Sequence, residues 1–112
     1  MPLPFKPSAL ALLLLITAVG GVAQAAPPAA RQGQLLHLLQ QDCGSCHGMT
    51  MKGGLGPALL PPDLAGKSDA MLIETVLDGR PGTAMPPWSA MLTQDEARWL
   101  IERLRQGVDH AP

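Results

Sequence analysis

The residues best suited to chemistry lie in the stretch Asp42–Gly48, which reads DCGSCHG. It contains both cysteines of the chain, Cys43 and Cys46, with two residues between them and His47 directly after the second. Two thiols and an imidazole at this spacing are typical of redox dithiols, of zinc sites and of covalent attachment of a prosthetic group. The choice among these depends on the compartment, because cytosolic thiols are kept reduced whereas exported ones are not.

The N-terminus predicts export. Lys6 supplies a positive charge, the run Ala9–Ala18 is uncharged and almost wholly apolar, and Ala23-Gln24-Ala25 has the A-x-A pattern of a cleavage site. We therefore expect residues 1–25 to be a signal peptide cleaved after Ala25, which leaves a periplasmic protein without membrane attachment. The alternative is an uncleaved anchor, but the double glycine and double proline that follow the apolar run make its later half a poor membrane span.

The predicted export and the small number of possible metal ligands favour a covalent haem over a redox dithiol, a zinc site or a disulfide. No strand precedes the motif, as it would in a thioredoxin-type site, and a zinc site needs two further ligands where only His37 and His110 remain. A disulfide across so short a loop would stabilise little. C-x-x-C-H is the attachment signature of c-type haem. The spacing thus predicts one haem c, bound through thioethers to Cys43 and Cys46, with His47 as an axial iron ligand.

The remaining pattern predicts a small all-α domain. Leucines mark a helix over about 32–42, a Ser-Asp cap precedes one over 70–78, and Thr93 opens a third with a capping box. Long loops over 48–70 and 80–92 carry apolar residues, so we expect them to wrap something.

The haem also explains how so small a chain fills its core. Trp88 and Trp99 are the aromatic residues outside the predicted signal peptide. Domains this small commonly need a disulfide, a metal or another cross-link to be stable. We expect a flexible leader over 26–31, the haem domain over 32–107 and a tail over 108–112. The net charge of −1 does not favour nucleic acid as a partner.

The iron needs a sixth ligand or an open position. The candidates beyond the motif are Met49, Met51, Met71, Met85, Met91, His37 and His110. We predict Met85, because the two prolines that follow it hold the loop extended and so aim a flexible side chain. Met91 is the second choice, and the first two methionines are too close to His47 to reach the other face of the haem.

The sequence resembles the class I c-type cytochromes. The matching pieces are CGSCHG at 43–48, GPAL at 56–59, MPPW at 85–88 and Trp99-Leu100 in the last helix. Within that class, GGLGPALLPPDLAGK and GRPGTAMPPW are similar to cytochrome c55X, a small periplasmic cytochrome associated with cytochrome cd1 nitrite reductase in denitrifying bacteria. The resemblance implies a class I fold, about three helices and two long loops around one covalent haem. It also implies that the Pro57 carbonyl accepts a hydrogen bond from His47.

The function implied is single-electron transfer by a monomeric carrier, with no substrate turnover. Its partners would be redox proteins, namely the nitrite reductase or the enzymes that mature its d1 haem, and the sequence does not choose between them. The other alternative is an open-coordination haem enzyme or sensor, which requires Met85 to be off the iron. Trp88 either contacts a haem propionate through its indole N–H or packs in the core, and Arg80 either neutralises a propionate or is solvated.

Overall fold

The computed structural model describes residues 1–4, 20–21 and 25–108. Most of the predicted signal peptide, Ala23-Gln24 of its cleavage site and His110 lie outside these residues. The helices are α1 (Ala29–Leu38), α2 (Gly44–His47), α3 (Pro61–Leu64), α4 (Asp69–Asp78) and α5 (Gln94–Gln106), with a π-helical turn at Leu39–Cys43. The described residues contain no strand, so the all-α expectation is confirmed. Among these helices none is long and apolar enough to span a bilayer.

The first helical segment is longer than the sequence predicts. It starts at Ala29, directly after Pro28, and the π turn carries it on into α2, which ends at Gly48 with φ of +91°. Residues 29–31, expected in the leader, therefore belong to α1. The helix continues because no proline or left-handed residue interrupts it before Gly48. The cysteine motif is thus inside the helical segment, not after it.

Helix α3 lies within the first predicted loop. Pro61 and Pro62 occupy its first turn, where a missing N–H is not a loss because that group would have no partner in the helix. The Asp63 carboxylate accepts a hydrogen bond from the backbone N–H of Leu60 at 3.1 Å. Pro61 and Pro62, predicted to lie in a loop, therefore begin a helical turn.

The predicted caps of the two later helices are present. The Ser68 hydroxyl accepts from the N–H of Met71 at 3.2 Å at the start of α4. Thr93 and Glu96 form the reciprocal capping box of α5, with N–H to side-chain distances of 3.2 and 3.0 Å. Gly107 ends α5 with φ of +79°.

The core joins the N-terminal helix to the C-terminal one. Its main cluster consists of Leu35, Leu38, Leu39, Met51, Leu64, Leu92, Trp99, Leu100 and Leu104, and a smaller one lies between α4 and α5. Two arginines tie the helices together at the surface. Arg31 of α1 pairs with Glu96 at 2.6 Å, and Arg105 of α5 binds Asp69 at 2.8 Å. The helix that carries the motif is thereby fixed against α5.

Candidate functional site

The two cysteines occupy neighbouring turns of the helical segment. Cys43 ends the π turn and packs half-buried against the main core, and Cys46 lies half-buried in α2. They form no disulfide with each other. Burial, and after it the carboxylate charge of Asp42, raises the pKa of the Cys43 thiol to about 11. These surroundings therefore disfavour the thiolate form of Cys43.

His47 is held through one ring nitrogen by a backbone carbonyl. Its Nδ1 lies 2.7 Å from the Pro57 oxygen. A carbonyl oxygen can only accept, so Nδ1 carries the proton and donates it. Nε2 then keeps its lone pair, which is the form of imidazole that binds a metal. This is the contact that the family resemblance implies for Pro57.

A glycine-rich loop closes over the motif. The N–H of Gly56 donates to the Cys46 carbonyl and that of Gly53 to the His47 carbonyl, both at 2.8 Å. A Cβ on Gly54 would lie 2.9 Å from the Cys46 oxygen. A Cβ on Gly56 would lie 3.0 Å from both Cε1 and Nδ1 of the imidazole. The absence of side chains therefore lets the loop reach the motif and hold the imidazole in place.

The segment that carries Met85 is docked on the end of α4. A Cβ on Gly79 would lie 2.7 Å from the Met85 oxygen, and Gly79 has φ of +68°, which favours glycine. The N–H of Arg80 donates to the Met85 oxygen at 3.1 Å. Beyond the two prolines, the N–H of Trp88 reaches the Val76 and Leu77 carbonyls at 3.0 and 3.1 Å. The backbone of Met85 is thus held on both sides.

Burial separates the candidates for the sixth ligand. Met51 is a core residue at 2% exposure, whereas Met49, Met71 and Met91 are 48%, 43% and 57% exposed. His37 is exposed on α1, and Met85 alone among the described candidates is intermediate. Met85 therefore differs in burial from the other described candidates, and its role as the sixth ligand stays a prediction.

The other two residues with suggested roles differ in burial. Trp88 is half-buried and packs against the main core, whereas Arg80 is exposed. Sequence reasoning missed Gly79 and Thr83 as supports of the Met85 loop. The sequence predicts Gly79 only as the end of α4. Thr83, two residues before the methionine, fits the side-chain-to-backbone turn that threonine favours.

The donor set fits a covalent haem. Two cysteine thiols and an imidazole with an available Nε2 lie on consecutive turns, and a thioether of intermediate burial lies on a separately anchored loop. The described residues contain no group of three or more His, Cys, Asp or Glu residues arranged to hold a metal ion by themselves. Two cysteine sulfurs and an imidazole Nε2 at this spacing are the groups that attach and ligate a c-type haem.

Comparisons with known proteins agree on one family. A family model described as cytochrome C oxidase, cbb3-type, subunit III matches residues 28–102. Cytochrome c55X of Pseudomonas aeruginosa is 58% identical over 87 residues, which make up 78% of this chain and 73% of that protein. The dihydro-heme d1 dehydrogenase of the same organism is 37% identical over 75 residues, 67% of this chain but 15% of that protein. The solved structure of the c-type cytochrome NirC matches with a TM-score of 0.72 and 57% identity, covering 77% of this chain and 100% of that one.

Proposed function

The chain belongs to the c-type cytochromes related to cytochrome c55X, and on this premise we propose that it is an exported carrier of single electrons with His47 and Met85 as axial ligands. Its cofactor is haem c, covalently bound. In the proposal, Cys43 and Cys46 provide the thioethers. The haem supplies the chemistry, a one-electron Fe(II)/Fe(III) couple, and the chain's own residues set its potential and its access to solvent.

The observation that carries the proposal is the hydrogen bond from His47 Nδ1 to the Pro57 oxygen at 2.7 Å. It fixes the ring orientation and leaves Nε2 free to bind iron. A carbonyl partner also makes the imidazole a stronger electron donor than a solvated ring. A prearranged proximal ligand suits a carrier, because little has to move between oxidation states.

In the proposal, Met85 fills the sixth coordination position of the iron. A thioether is a soft, neutral ligand that favours Fe(II), so His/Met ligation raises the reduction potential. With both axial positions filled, peroxide and small gases have no open site. The docked loop around Met85 supports this reading over an open-coordination enzyme or sensor, since its backbone is tied at Arg80 and Trp88.

The test is the red-region charge-transfer band of ferric iron bound to methionine sulfur. We expect the band in the wild type and its loss in Met85→Ala, which should also bind carbon monoxide and cyanide readily. Met91→Ala is the matched control, because it removes an exposed methionine and should leave the spectrum nearly unchanged. A band that survives in Met85→Ala and vanishes in Met91→Ala would show that the ligand is misassigned. A wild type without the band that binds carbon monoxide would favour the open-site alternative.

A second function is favoured by one comparison. The chain is similar to a 75-residue part of dihydro-heme d1 dehydrogenase, a protein whose name refers to the d1 haem itself. The proposed carrier therefore has two candidate redox partners: cytochrome cd1 nitrite reductase, and an enzyme that matures its d1 haem. Stopped-flow mixing distinguishes the two partners, because the electron moves in opposite directions. The reduced protein should reduce oxidised nitrite reductase much faster than it reduces an unrelated haem protein, whereas a dehydrogenase that oxidises a dihydro-haem releases electrons, so the oxidised protein should accept them from the substrate-loaded enzyme. If neither transfer is faster than that with an unrelated haem protein, both partners are wrong.

The proposal also places the protein in the periplasm as a monomer, with the signal peptide removed after Ala25. The basis is the A-x-A pattern and the apolar run before it. The intact mass of the purified protein should correspond to a chain that starts at Ala26 plus one haem. A mass that includes residues 1–25 would show a retained anchor instead.

A further inference from the structure

The six residues Arg80–Met85 form a small closed loop that the sequence did not reveal. At its start, the N–H of Arg80 donates to the Met85 oxygen at 3.1 Å. Inside it, the Thr83 hydroxyl donates to the Arg80 oxygen at 2.6 Å, and the N–H of Met85 donates to the Thr83 hydroxyl oxygen at 3.3 Å. Both backbone polar groups of Met85 are therefore bonded within the loop.

The Thr83 hydroxyl is the one side-chain group in this ring of hydrogen bonds. It serves as donor and acceptor at once, which is what a hydroxyl can do and a methyl group cannot. Without it, the Met85 N–H would have to turn to solvent, and the Arg80 oxygen would keep only the N–H of Thr83, at 3.0 Å. The residues that follow Met85 are held without a side-chain hydrogen bond. Pro86 and Pro87 have restricted φ, and the N–H of Trp88 is bonded to carbonyls of α4. The backbone conformation before Met85 thus depends on the Thr83 hydroxyl.

We propose that Thr83 is a positioning residue that holds the Met85 side chain on the haem iron through its hydroxyl. The inference rests on the proposed function, in which Met85 is the axial ligand. Thr83 does not touch the iron; it limits how far the Met85 backbone can swing away. A methionine that is tied in this way dissociates less often, so the sixth position is less open to external ligands.

The measurement is the affinity of the ferric protein for imidazole, which must displace the methionine to bind. Thr83→Val keeps the shape of the side chain and removes its hydroxyl. Because a hydrogen bond of this kind contributes about 0.5–1.5 kcal/mol, the variant should bind imidazole roughly two- to tenfold more tightly than the wild type. Its charge-transfer band should persist without imidazole. Thr83→Ser restores a hydroxyl and should return the affinity to the wild-type value.

Thr75→Val is the matched control. Thr75 also donates its hydroxyl to a backbone carbonyl, that of Met71 at 2.8 Å, but it lies within α4 and makes no contact of this kind with Met85. It should leave imidazole affinity unchanged. If Thr83→Val binds imidazole no more tightly than Thr75→Val, or if Thr83→Ser does not restore the affinity, the proposal is wrong.

Amide hydrogen exchange in the wild type provides a second test that does not require the variant to fold. The Met85 amide should exchange more slowly than that of Ala84, for which no such bond is formed among the described residues. Equal exchange rates would overturn the role of Thr83 directly. The ligand assignment fails separately: only persistence of the band in Met85→Ala would remove Met85 from the iron, whereas a lost band with no effect of Thr83→Val would remove Thr83 alone.

Discussion

Gly56 lies against the imidazole of His47, so closely that a Cβ at position 56 would be 3.0 Å from both Cε1 and Nδ1. At that distance either the ring must tilt or the loop must retreat, and the loop is tied to the motif through the Gly56 N–H and the Cys46 oxygen. The imidazole ring is therefore displaced more easily than the loop. The glycine therefore controls the geometry of the hydrogen bond between His47 and Pro57.

We predict that Gly56→Ala weakens this hydrogen bond and raises the reduction potential. A weaker bond makes the imidazole a poorer donor to Fe(III), which disfavours the oxidised state. A difference of a few tenths to 1 kcal/mol between the losses in Fe(III) and in Fe(II) corresponds to a rise of about 15–45 mV for a one-electron couple. Redox titration measures the shift. Gly33→Ala is the control, because a Cβ there meets nothing within 4 Å. It should leave the potential unchanged, and an unchanged potential in Gly56→Ala would contradict the prediction.

Several features of the site and the fold could be predicted from short stretches of the sequence. The C-x-x-C-H spacing and the capping box at Thr93 depend on neighbouring residues only, so the sequence reveals them directly. The π turn before Cys43 and the one-turn helix at Pro61 did not follow. A leucine pattern does not distinguish an α from a π turn, and the prolines at 61 and 62 suit a loop as well as the first turn of a helix. The role of Gly79 was hidden because the atoms it must avoid lie six to eight residues further along.

Replacing both cysteines should prevent stable folding as well as covalent attachment. Cys43 packs against the main core, and the domain has few aromatic residues to fill the space that a haem would leave. In the wild type, acidified organic solvent should leave the haem on the chain. The double variant Cys43→Ala/Cys46→Ala should yield little soluble protein, and any haem in it should extract freely. Free extraction from the wild type would refute covalent attachment.

Gly79→Ala should detach Met85 from the iron. A Cβ there would approach the Met85 oxygen to 2.7 Å and backbone atoms of both following prolines to 2.8 Å, so the loop itself has to move. We expect the methionine–iron band to be lost or much weakened at neutral pH. The matched control is Gly82→Ala in the same loop. Gly82 has a similar φ, +78° against +68°, but a Cβ there meets nothing within 4 Å.

The two glycine variants separate strain from collision. Both place alanine at a positive φ, and Gly79, with ψ of −170°, lies in a region that essentially only glycine adopts, where another residue costs about 1–3 kcal/mol. Only Gly79→Ala adds the collision with the Met85 segment. Gly82→Ala should therefore unfold at a lower denaturant concentration but keep the band. Loss of the band in both variants would show that strain alone displaces the ligand, and retention in both would show that the loop adjusts without moving Met85.

The ion pair between Arg31 and Glu96 should make stability depend on pH in acid. Arg31 donates to both carboxylate oxygens of Glu96, at 2.6 and 3.1 Å, and so joins α1 to the start of α5. The hydrogen bond from Arg31, followed by that from the Thr93 N–H, lowers the pKa of Glu96. A lowered folded-state pKa contributes stability that is fully present above the unfolded glutamate pKa, about 4.3, and is lost as the pH falls through the folded value.

Glu96→Gln should therefore be less stable than the wild type at neutral pH and equally stable in sufficiently strong acid. Glutamine can still accept from the Thr93 N–H, so the variant removes the charge and keeps the cap. Denaturant unfolding of the haem-loaded proteins, repeated across a series of acidic pH values, gives the difference in the free energy of unfolding. Glu102→Gln, at an exposed position of the same helix, should show no such pH-dependent difference. A deficit in Glu96→Gln that stays constant down to the lowest pH would mean that packing, and not the carboxylate charge, holds the two helices together.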